Sequence, residues 1–314
     1  MASAAGRRLA VVILLLALVA TVAIALWVPA GGGRRGPRFA TGAGNIVGII
    51  RIEGPITGGA STGGLLGSST GSDHIIQLLN EAREDDRVRA VVLRLNTPGG
   101  SAAAAEEIGV ELRRLREAGK PVVASMGDTA ASGGYWIAAL TDHIVASPAT
   151  LTGSIGVIME LTNLEGLYER LGIEVETIKS GEHKDIGSPT RELTEEERAL
   201  LQGLIDDIFD QFVTVVAEGR GLSRQEVLAL ADGRVFTGRQ ALAAGLVDSL
   251  GSLNDAVEIA AELAGIEGDY TIRELGTPAT LGELLRRLGA GGLLPLGVPQ
   301  ELKWIRWELY PQAR

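Results

Sequence analysis

Two short apolar runs, each followed by a glycine-rich turn and then a helical pattern, constrain the fold of this chain most strongly. The runs lie at residues 88–95 (VRAVVLRL) and 121–126 (PVVASM). Continuous apolar runs of this length, bounded by turn residues, are typical of strands buried on both faces. Strands alternate with helical segments through most of the chain, which predicts an α/β fold with parallel strands and right-handed crossovers. The chemistry of such folds lies at the carboxyl ends of the strands.

The turn after the second run contains a candidate nucleophile. Residues 127–136 (GDTAASGGYW) place Ser132 between small residues, where a strand ends and a helix begins. Small residues allow close backbone approach, and a helix N-terminus offers free N–H groups to an anion. A glycine-rich strand-to-helix connection without a catalytic role has the same pattern, so other parts of the sequence must distinguish these two interpretations.

A serine nucleophile needs a general base, and the residues alone leave its identity open. His143 comes eleven residues after Ser132, which puts it about three helical turns away or on a strand edge. His183 lies in a loop at residues 180–189, but its nearby acids are too close in sequence to be obvious orienting partners. Lys184, the next residue, can serve if burial favours its neutral form, although most lysines are exposed.

The tetrahedral intermediate of acyl transfer also needs hydrogen-bond donors for its oxyanion. Backbone N–H groups on a tight turn and at a helix start supply them without side-chain reorganisation. Residues 97–101 (TPGGS) form one such turn, and Gly133, directly after Ser132, is a second source. The proline–glycine–glycine sequence is equally compatible with a simple strand-to-helix turn.

Residues 9–28 form an uncharged apolar segment of twenty residues, which is long enough to span a bilayer. Trp27 lies at its end, where an interfacial aromatic residue belongs. A cleaved signal peptide is the alternative, but its small-residue site at 23–25 lies inside the apolar run. We therefore expect an uncleaved anchor, with residues 1–8 in the cytoplasm, the bulk of the chain outside it and residues 29–44 as a flexible tether.

Composition excludes several classes of function. The 314-residue chain has no cysteine, which excludes disulfides and thiolate catalysis, and its three histidines are too scattered to suggest a metal site. The net charge is −10, and beyond residue 44 the chain carries 24 basic and 39 acidic residues. This balance argues against nucleic acid as a partner. We expect neither a metal nor another cofactor.

Two further segments give testable expectations. Residues 54–71, rich in glycine and serine, predict a mobile loop, with a helix capped by one of the two polar residues that follow. Residues 175–179 predict a strand. A threonine with a glutamate three residues later forms a capping-box pattern, which predicts a long helix over residues 194–219.

Five ordered motifs carry a resemblance to a known family. The chain resembles the signal peptide peptidase A family, membrane-anchored serine peptidases of the Clp protease/crotonase fold superfamily, over residues 45–265. The motifs are residues 95–100 (LNTPGG), 130–135 (AASGGY), 152–157 (TGSIGV), 179–189 (KSGEHKDIGSP) and 232–238 (DGRVFTG). Their order along the chain makes the resemblance specific.

The resemblance implies a Ser–Lys dyad. It assigns Ser132 as the nucleophile, Lys184 as the general base and Ser154 as the residue that hydrogen-bonds the lysine. The implied oxyanion-hole donors are the backbone N–H groups of Gly100 and Gly133. Gly99 is a near alternative to Gly100 as the first of these donors.

The resemblance also implies an architecture and an assembly. The expected fold is the α/β, Clp protease/crotonase-like ββα spiral in a single copy, with residues 266–314 as a C-terminal extension outside the motifs. Such chains form a homo-oligomeric ring, expected to be an octamer, in which the serine and lysine meet across a protomer boundary. One departure is Thr97, which stands where a serine is common and keeps the hydroxyl.

The function implied is that of a membrane-anchored serine endopeptidase that degrades cleaved signal peptides and other apolar peptides. It would act at the bacterial cell membrane, as a single-pass protein with its catalytic domain outside the cytoplasm. One alternative is a crotonase-type acyl-CoA hydratase or isomerase, which normally uses paired glutamates and no nucleophilic serine. The other is a catalytically inactive membrane scaffold, against which the presence of both Ser132 and Lys184 argues.

Overall fold

The structure is a computed structural model, and it describes residues 44–64 and 67–276. Strands and helices alternate along this part of the chain. Its strands are β1 (Ile46–Glu53), β2 (Ile56–Thr57), β3 (Thr62–Gly64), β4 (Gly67–Gly71), β5 (Val88–Thr97), β6 (Val122–Ala131), β7 (His143–Ala146), β8 (Leu151–Gly153), β9 (Val235–Thr237), β10 (Ser249–Leu250) and β11 (Thr271–Glu274). Its helices are α1 (Ser72–Glu84), α2 (Ala102–Glu117), α3 (Gly133–Ala139), α4 (Glu165–Leu171), α5 (Glu195–Arg220), α6 (Arg224–Leu230), α7 (Gly238–Ala243) and α8 (Leu253–Leu263).

The main sheet confirms the predicted α/β class. Six of its strands run parallel in the order β10-β7-β6-β5-β1-β11. The carboxyl-terminal end of β6 also pairs with β8 in parallel, and β8 pairs with β9 in antiparallel. The two apolar runs that predicted the fold are β5 and β6, adjacent in the centre of this sheet. Their following turns therefore open at the same edge.

Helices cover the sheet on both faces. On one face, α1, α2, α3 and α5 bury a large core with the alternate side chains of β1, β5 and β6. On the other face, α8 buries a smaller cluster that includes Val47, Val92 and Val123. Because both faces are buried, the central strands read as continuous apolar runs instead of alternating ones.

The glycine-rich segment at 54–71 is not the expected loop. It contains the short strands β2, β3 and β4, which form a separate three-stranded sheet. The expected polar cap of α1 is also wrong, because the N-cap is Gly71 and no side chain caps the helix. A Cβ on Gly71 would lie 2.2 Å from the Gly59 carbonyl oxygen, so this close backbone approach requires glycine.

Residues 157–204, which we call the arm, lie largely exposed. They contain α4, which has no buried residue, and the first part of α5. The strand predicted at 175–179 is absent, since those residues have no strand partner and Ile178 is 94% exposed. The capping box that opens α5 is confirmed: Thr194 accepts from the Glu197 backbone N–H and Glu197 accepts from that of Thr194.

The terminal segments are described only in part. Within residues 44–64 and 67–276, no helix has the length and apolar character needed to cross a membrane. The expected anchor at 9–28 lies outside the described residues, as do all but the last residue of the tether expected at 29–44 and most of the expected C-terminal extension. Near the start of that extension, residues 271–274 form β11, which pairs with β1.

Candidate active site

Ser132 occupies a strained turn between β6 and α3. Its backbone has φ 52° and ψ −123°, a combination that residues with a side chain rarely adopt. The turn is held by hydrogen bonds from Ser132 N–H to the Gly153 carbonyl oxygen (2.9 Å) and from Trp136 N–H to the Ser132 carbonyl oxygen (2.9 Å). Ser132 is half-buried, and its hydroxyl makes no hydrogen bond to the described residues. Its hydroxyl is therefore free to react.

The helix behind Ser132 is rigidly embedded. All seven residues of α3 are buried. The Tyr135 hydroxyl donates to the Leu246 carbonyl oxygen at 2.8 Å, and burial raises the pKa of that phenol far above its usual value. The Trp136 ring lies 5.0 Å from the Phe212 ring of α5, measured between centroids. These contacts fix the axis of α3 and therefore the position of the serine at its N-terminus.

Two backbone N–H groups lie beside Ser132 without a hydrogen-bond partner among the described residues. Gly133 is the first residue of α3, so its N–H has no intrahelical partner. The N–H of Gly100 points away from the Gly99 carbonyl, because the peptide is trans. A Cβ built on Gly133 would lie 3.3 Å from the Gly100 nitrogen, so the two donors are neighbours. This arrangement suits an oxyanion.

The loop that carries Gly100 is held by the backbone of Ile56 in β2. Ile56 N–H donates to the Gly99 carbonyl oxygen, and Ser101 N–H donates to the Ile56 carbonyl oxygen, both at 2.9 Å. Since the Gly99 carbonyl is engaged by Ile56, the N–H of Gly100 on the same peptide is directed to the opposite side. Sequence reasoning did not find this contact, because the glycine-rich segment gave no strand signal.

Thr97 determines which glycine can donate. Its fully buried hydroxyl accepts the Gly99 N–H at 3.0 Å, so that donor is engaged and the Gly100 donor is not. Gly99 has φ 102°, and a Cβ there would lie 2.7 Å from the Ser132 Cβ. Only glycine fits at that position. The geometry thus favours Gly100 over Gly99 as the oxyanion donor.

Ser154 lies close to Ser132 through the β6–β8 pairing. Its neighbour Gly153 provides the carbonyl oxygen that accepts the Ser132 N–H, and Ser154 N–H donates to the Arg234 carbonyl oxygen at 2.9 Å. Ser132 and Ser154 are the two non-glycine residues with positive φ in the described part of the chain. The unusual backbone conformations therefore cluster at the predicted site.

Lys184 is not brought to the serine within the single chain. It lies in a hydrogen-bonded turn of the arm, where its N–H donates to the Gly181 carbonyl oxygen at 3.2 Å. Its side chain is exposed and makes no hydrogen bond or ion pair with any described residue. The chain by itself thus assembles Ser132, Gly100, Gly133 and Ser154, whereas the Lys184 side chain forms no hydrogen bond with any of them.

The two histidines considered as bases lack the required geometry. His143 pairs with Val123 at the start of β6, and nine extended residues separate that position from Ser132, roughly 30 Å at about 3.3 Å per residue. Its Nε2 contacts the Ser249 hydroxyl at 2.9 Å. His183 has Nε2 3.8 Å from a Glu196 carboxylate oxygen, while its buried Nδ1 has no partner among the described residues. Neither forms a triad.

An ion-pair network that the sequence did not reveal surrounds the turn of Lys184. Arg191 donates to the carboxylates of both Asp185 and Glu197, and Lys179 donates to Asp185. Hydrogen bonds from Arg191, and then from Lys179, hold the pKa of Asp185 well below its usual range. Hydrogen bonds from Arg191 and from the Thr194 backbone lower the pKa of Glu197 to about 2. Both carboxylates are therefore ionised at neutral pH.

Comparisons with known proteins identify the family of this chain. Residues 114–267 match the model of peptidase family S49, a segment that contains Ser132, Ser154 and Lys184. A Synechocystis sp. protein inferred to be a protease is 46% identical over 232 residues, which cover 72% of this chain and 83% of that relative.

Two longer relatives are also similar. Protease 4 of Salmonella typhi is 42% identical over 224 residues, covering 71% of this chain and 35% of that protein. The chloroplastic serine protease SPPA of Arabidopsis thaliana is 35% identical over 273 residues, covering 86% of this chain and 40% of that protein. The matched part thus spans well under half of either longer protein. These similarities confirm the resemblance seen in the motifs, and the chain belongs to peptidase family S49.

Proposed function

We propose that this protein is a serine endopeptidase in which Ser132 is the nucleophile and Lys184 the general base. One observation carries the proposal: Ser132 lies on a strained strand-to-helix turn, directly beside the unpaired N–H groups of Gly100 and Gly133. A nucleophile and an oxyanion hole are the two parts that acyl transfer needs at fixed positions. Family membership supports peptides as the substrates, and the ββα spiral of the Clp protease/crotonase superfamily as the fold.

The reaction follows from these positions. Lys184 Nζ takes the hydroxyl proton of Ser132 as Oγ bonds to the carbonyl carbon, and the oxyanion receives hydrogen bonds from Gly100 and Gly133. The proton then passes to the leaving amine as the C–N bond breaks, which leaves an acyl-enzyme. A water molecule then adds to the acyl carbon and gives a proton to Lys184. The serine oxygen takes up this proton from Lys184 as its bond to the acyl carbon breaks. Ser154 would hold the lysine by a hydrogen bond.

A second copy of the chain would complete the dyad. The side chains of Ser132 and Lys184 have no partners within the described residues, and the arm that carries Lys184 exposes many apolar side chains. Exposed apolar patches of this kind mark protein–protein contacts. The apolar residues are Ile158, Met159, Leu161, Leu167, Leu171, Ile173, Val175, Ile178, Leu200 and Leu204. The arm of one protomer would therefore dock on the next in a homo-oligomeric ring, which we propose to be an octamer.

The proposed substrates are apolar peptides, chiefly cleaved signal peptides. The apolar segment at residues 9–28 supports attachment to the bacterial cell membrane by a single span, with the tether at 29–44 and the catalytic domain outside the cytoplasm. Such a location would hold the site near the bilayer, where apolar peptides accumulate after secretion.

Hydrolysis of an internally quenched, leucine-rich peptide by the full chain in detergent tests the proposal. We expect Ser132→Ala and Lys184→Ala each to lower kcat by about a thousandfold or more, as for other members of a catalytic unit. Ser249→Ala, at a hydroxyl that contacts His143, is the matched control and should keep parent activity. Normal turnover by Ser132→Ala would refute the proposal. Labelling of Ser132 by a fluorophosphonate excludes the hydratase and the inactive scaffold.

A further inference from the structure

We infer that Arg191 is a positioning residue for Lys184, because it holds the carboxylate of Asp185 away from the lysine that precedes it. This inference rests on the proposed function, since it concerns the general base of that reaction. It assigns a role in activity to an arginine that the motifs of the sequence do not include.

The contact between Arg191 and Asp185 is a fork. Arg191 Nε donates to Asp185 Oδ2 at 2.9 Å, and Arg191 Nη2 donates to Asp185 Oδ1 at 2.9 Å. Lys179 Nζ donates to the same Oδ1 at 2.7 Å and to the Glu182 carbonyl oxygen at 2.7 Å. A two-point arginine–carboxylate pair fixes orientation as well as distance. Asp185 is therefore occupied on both oxygens, although it directly follows Lys184 in the chain.

The guanidinium is anchored in turn to a rigid element. Arg191 Nη1 donates to Glu197 Oε2 at 2.8 Å, and Glu197 is 3% exposed. Glu197 is also the capping-box residue of α5, where it accepts the Thr194 N–H at 3.0 Å. The turn that carries Lys184 is thus tied through one arginine to the N-terminus of a 26-residue helix.

Within the ion-pair network itself, the charges balance without Lys184. The two carboxylates of Asp185 and Glu197 are matched by the two cations Arg191 and Lys179. Further acidic residues lie near this turn: Glu182 precedes His183, Glu196 lies 3.8 Å from the His183 ring, and Glu192 follows Arg191, whose Nη1 donates to the Glu192 carbonyl oxygen. The ammonium of Lys184 pairs with none of the described residues.

This arrangement matters for a general base. A lysine must be neutral to accept a proton, and an opposite charge within about 4–6 Å favours its protonated form. If Arg191 is removed, the Asp185 carboxylate loses its fork and becomes available to the adjacent lysine. Activity should then require a higher pH. If the network served only to stabilise the arm, removal of Arg191 would change stability or assembly and would leave the pH profile of the assembled enzyme unchanged.

The test measures kcat and KM of the full chain for the leucine-rich peptide from neutral to alkaline pH. We expect Arg191→Gln to move the acid limb of kcat up by about one pH unit, which lowers kcat at neutral pH about tenfold with little change in KM. The double variant Arg191→Gln/Asp185→Asn should return the limb to the parent position. The matched control is Arg198→Gln, an exposed arginine of α5 whose ion-pair partner is Glu195, at 3.9 Å.

The outcomes separate the inference from the proposed function. The role of Arg191 is overturned if Arg191→Gln has the pH dependence of the parent. It is also overturned if adding Asp185→Asn to Arg191→Gln does not return the acid limb of kcat to the parent position. Full activity of Ser132→Ala or Lys184→Ala overturns the proposed function itself. If Arg191→Gln does not assemble, Arg191→Lys replaces it, since lysine keeps the charge but cannot form the fork. A smaller upward shift of the limb then supports the inference, and an unshifted limb overturns it.

Discussion

Mixing two inactive variants gives the sharpest test of a dyad shared between protomers. Ser132→Ala and Lys184→Ala are each expected to be inactive, because each lacks one half of every site. In a ring with head-to-tail contacts, each serine faces the lysine of one neighbour. If the two variants assemble at random in equal amounts, about one boundary in four joins an intact serine to an intact lysine. The mixture should therefore recover about a quarter of parent activity.

Co-expression of the two variants, with their ratio checked by mass spectrometry, provides the assay with the leucine-rich peptide. Parent chain mixed equally with the double variant Ser132→Ala/Lys184→Ala serves as the control. It should retain about a quarter of parent activity if the dyad spans protomers, and about a half if each chain is self-sufficient. No recovery by the mixed single variants, together with half activity in the control, would refute a shared site.

Three further predictions concern the site and its support. Thr97→Val removes the acceptor of the Gly99 N–H and should lower kcat about tenfold with little change in KM. Thr97→Ser keeps the hydroxyl and should recover most of the lost activity. Equal kcat for the two variants would contradict this prediction. Gly99→Ala should abolish fluorophosphonate labelling of Ser132, while Gly119→Ala, with φ 79° but open space around it, should label normally. Arg191 holds the carboxylates of Asp185 and Glu197, and the folded pKa of each is lowered, that of Glu197 to about 2. Their stabilising effect is therefore present above the ordinary carboxylate pKa and is lost as pH falls through the folded pKa values. Acid unfolding followed by circular dichroism should therefore show a smaller loss of stability in Arg191→Gln, and an identical loss would contradict this.

The sequence could predict the central sheet and the position of Ser132 because both depend on local patterns. The apolar runs that became β5 and β6 are buried on both faces, and the small residues after β6 permit the tight turn into α3. The capping box of α5 is likewise local, since its two partners lie three residues apart. Features set by neighbours in sequence were therefore accessible.

The remainder depends on contacts between distant segments. The strand expected at 175–179 has a suitable apolar pattern but no neighbouring strand to complete its hydrogen bonds. The sheet formed by β2, β3 and β4 arises from a glycine-rich sequence without any periodic pattern. The pairing of Arg191 with Asp185 and Glu197 joins the Lys184 turn to a helix, which sequence spacing does not specify.

The hold of Ile56 on the oxyanion loop has a consequence for mutagenesis. Ile56 holds this loop with main-chain groups alone: its N–H donates to the Gly99 carbonyl oxygen, and its carbonyl oxygen accepts the Ser101 N–H. Any residue with an amide hydrogen makes both bonds equally well. An Ile56→Ala substitution would therefore measure only the loss of the buried side chain. It would not detect the proposed contribution of the Ile56 backbone to catalysis. Replacing Ile56 by proline, or its amide by an ester, would instead remove the N–H that donates to the Gly99 carbonyl oxygen. The Gly99–Gly100 peptide could then rotate, and the Gly100 N–H would no longer point at the oxyanion. In the proposed mechanism, part of the catalytic apparatus is therefore encoded by backbone geometry and is independent of side-chain identity.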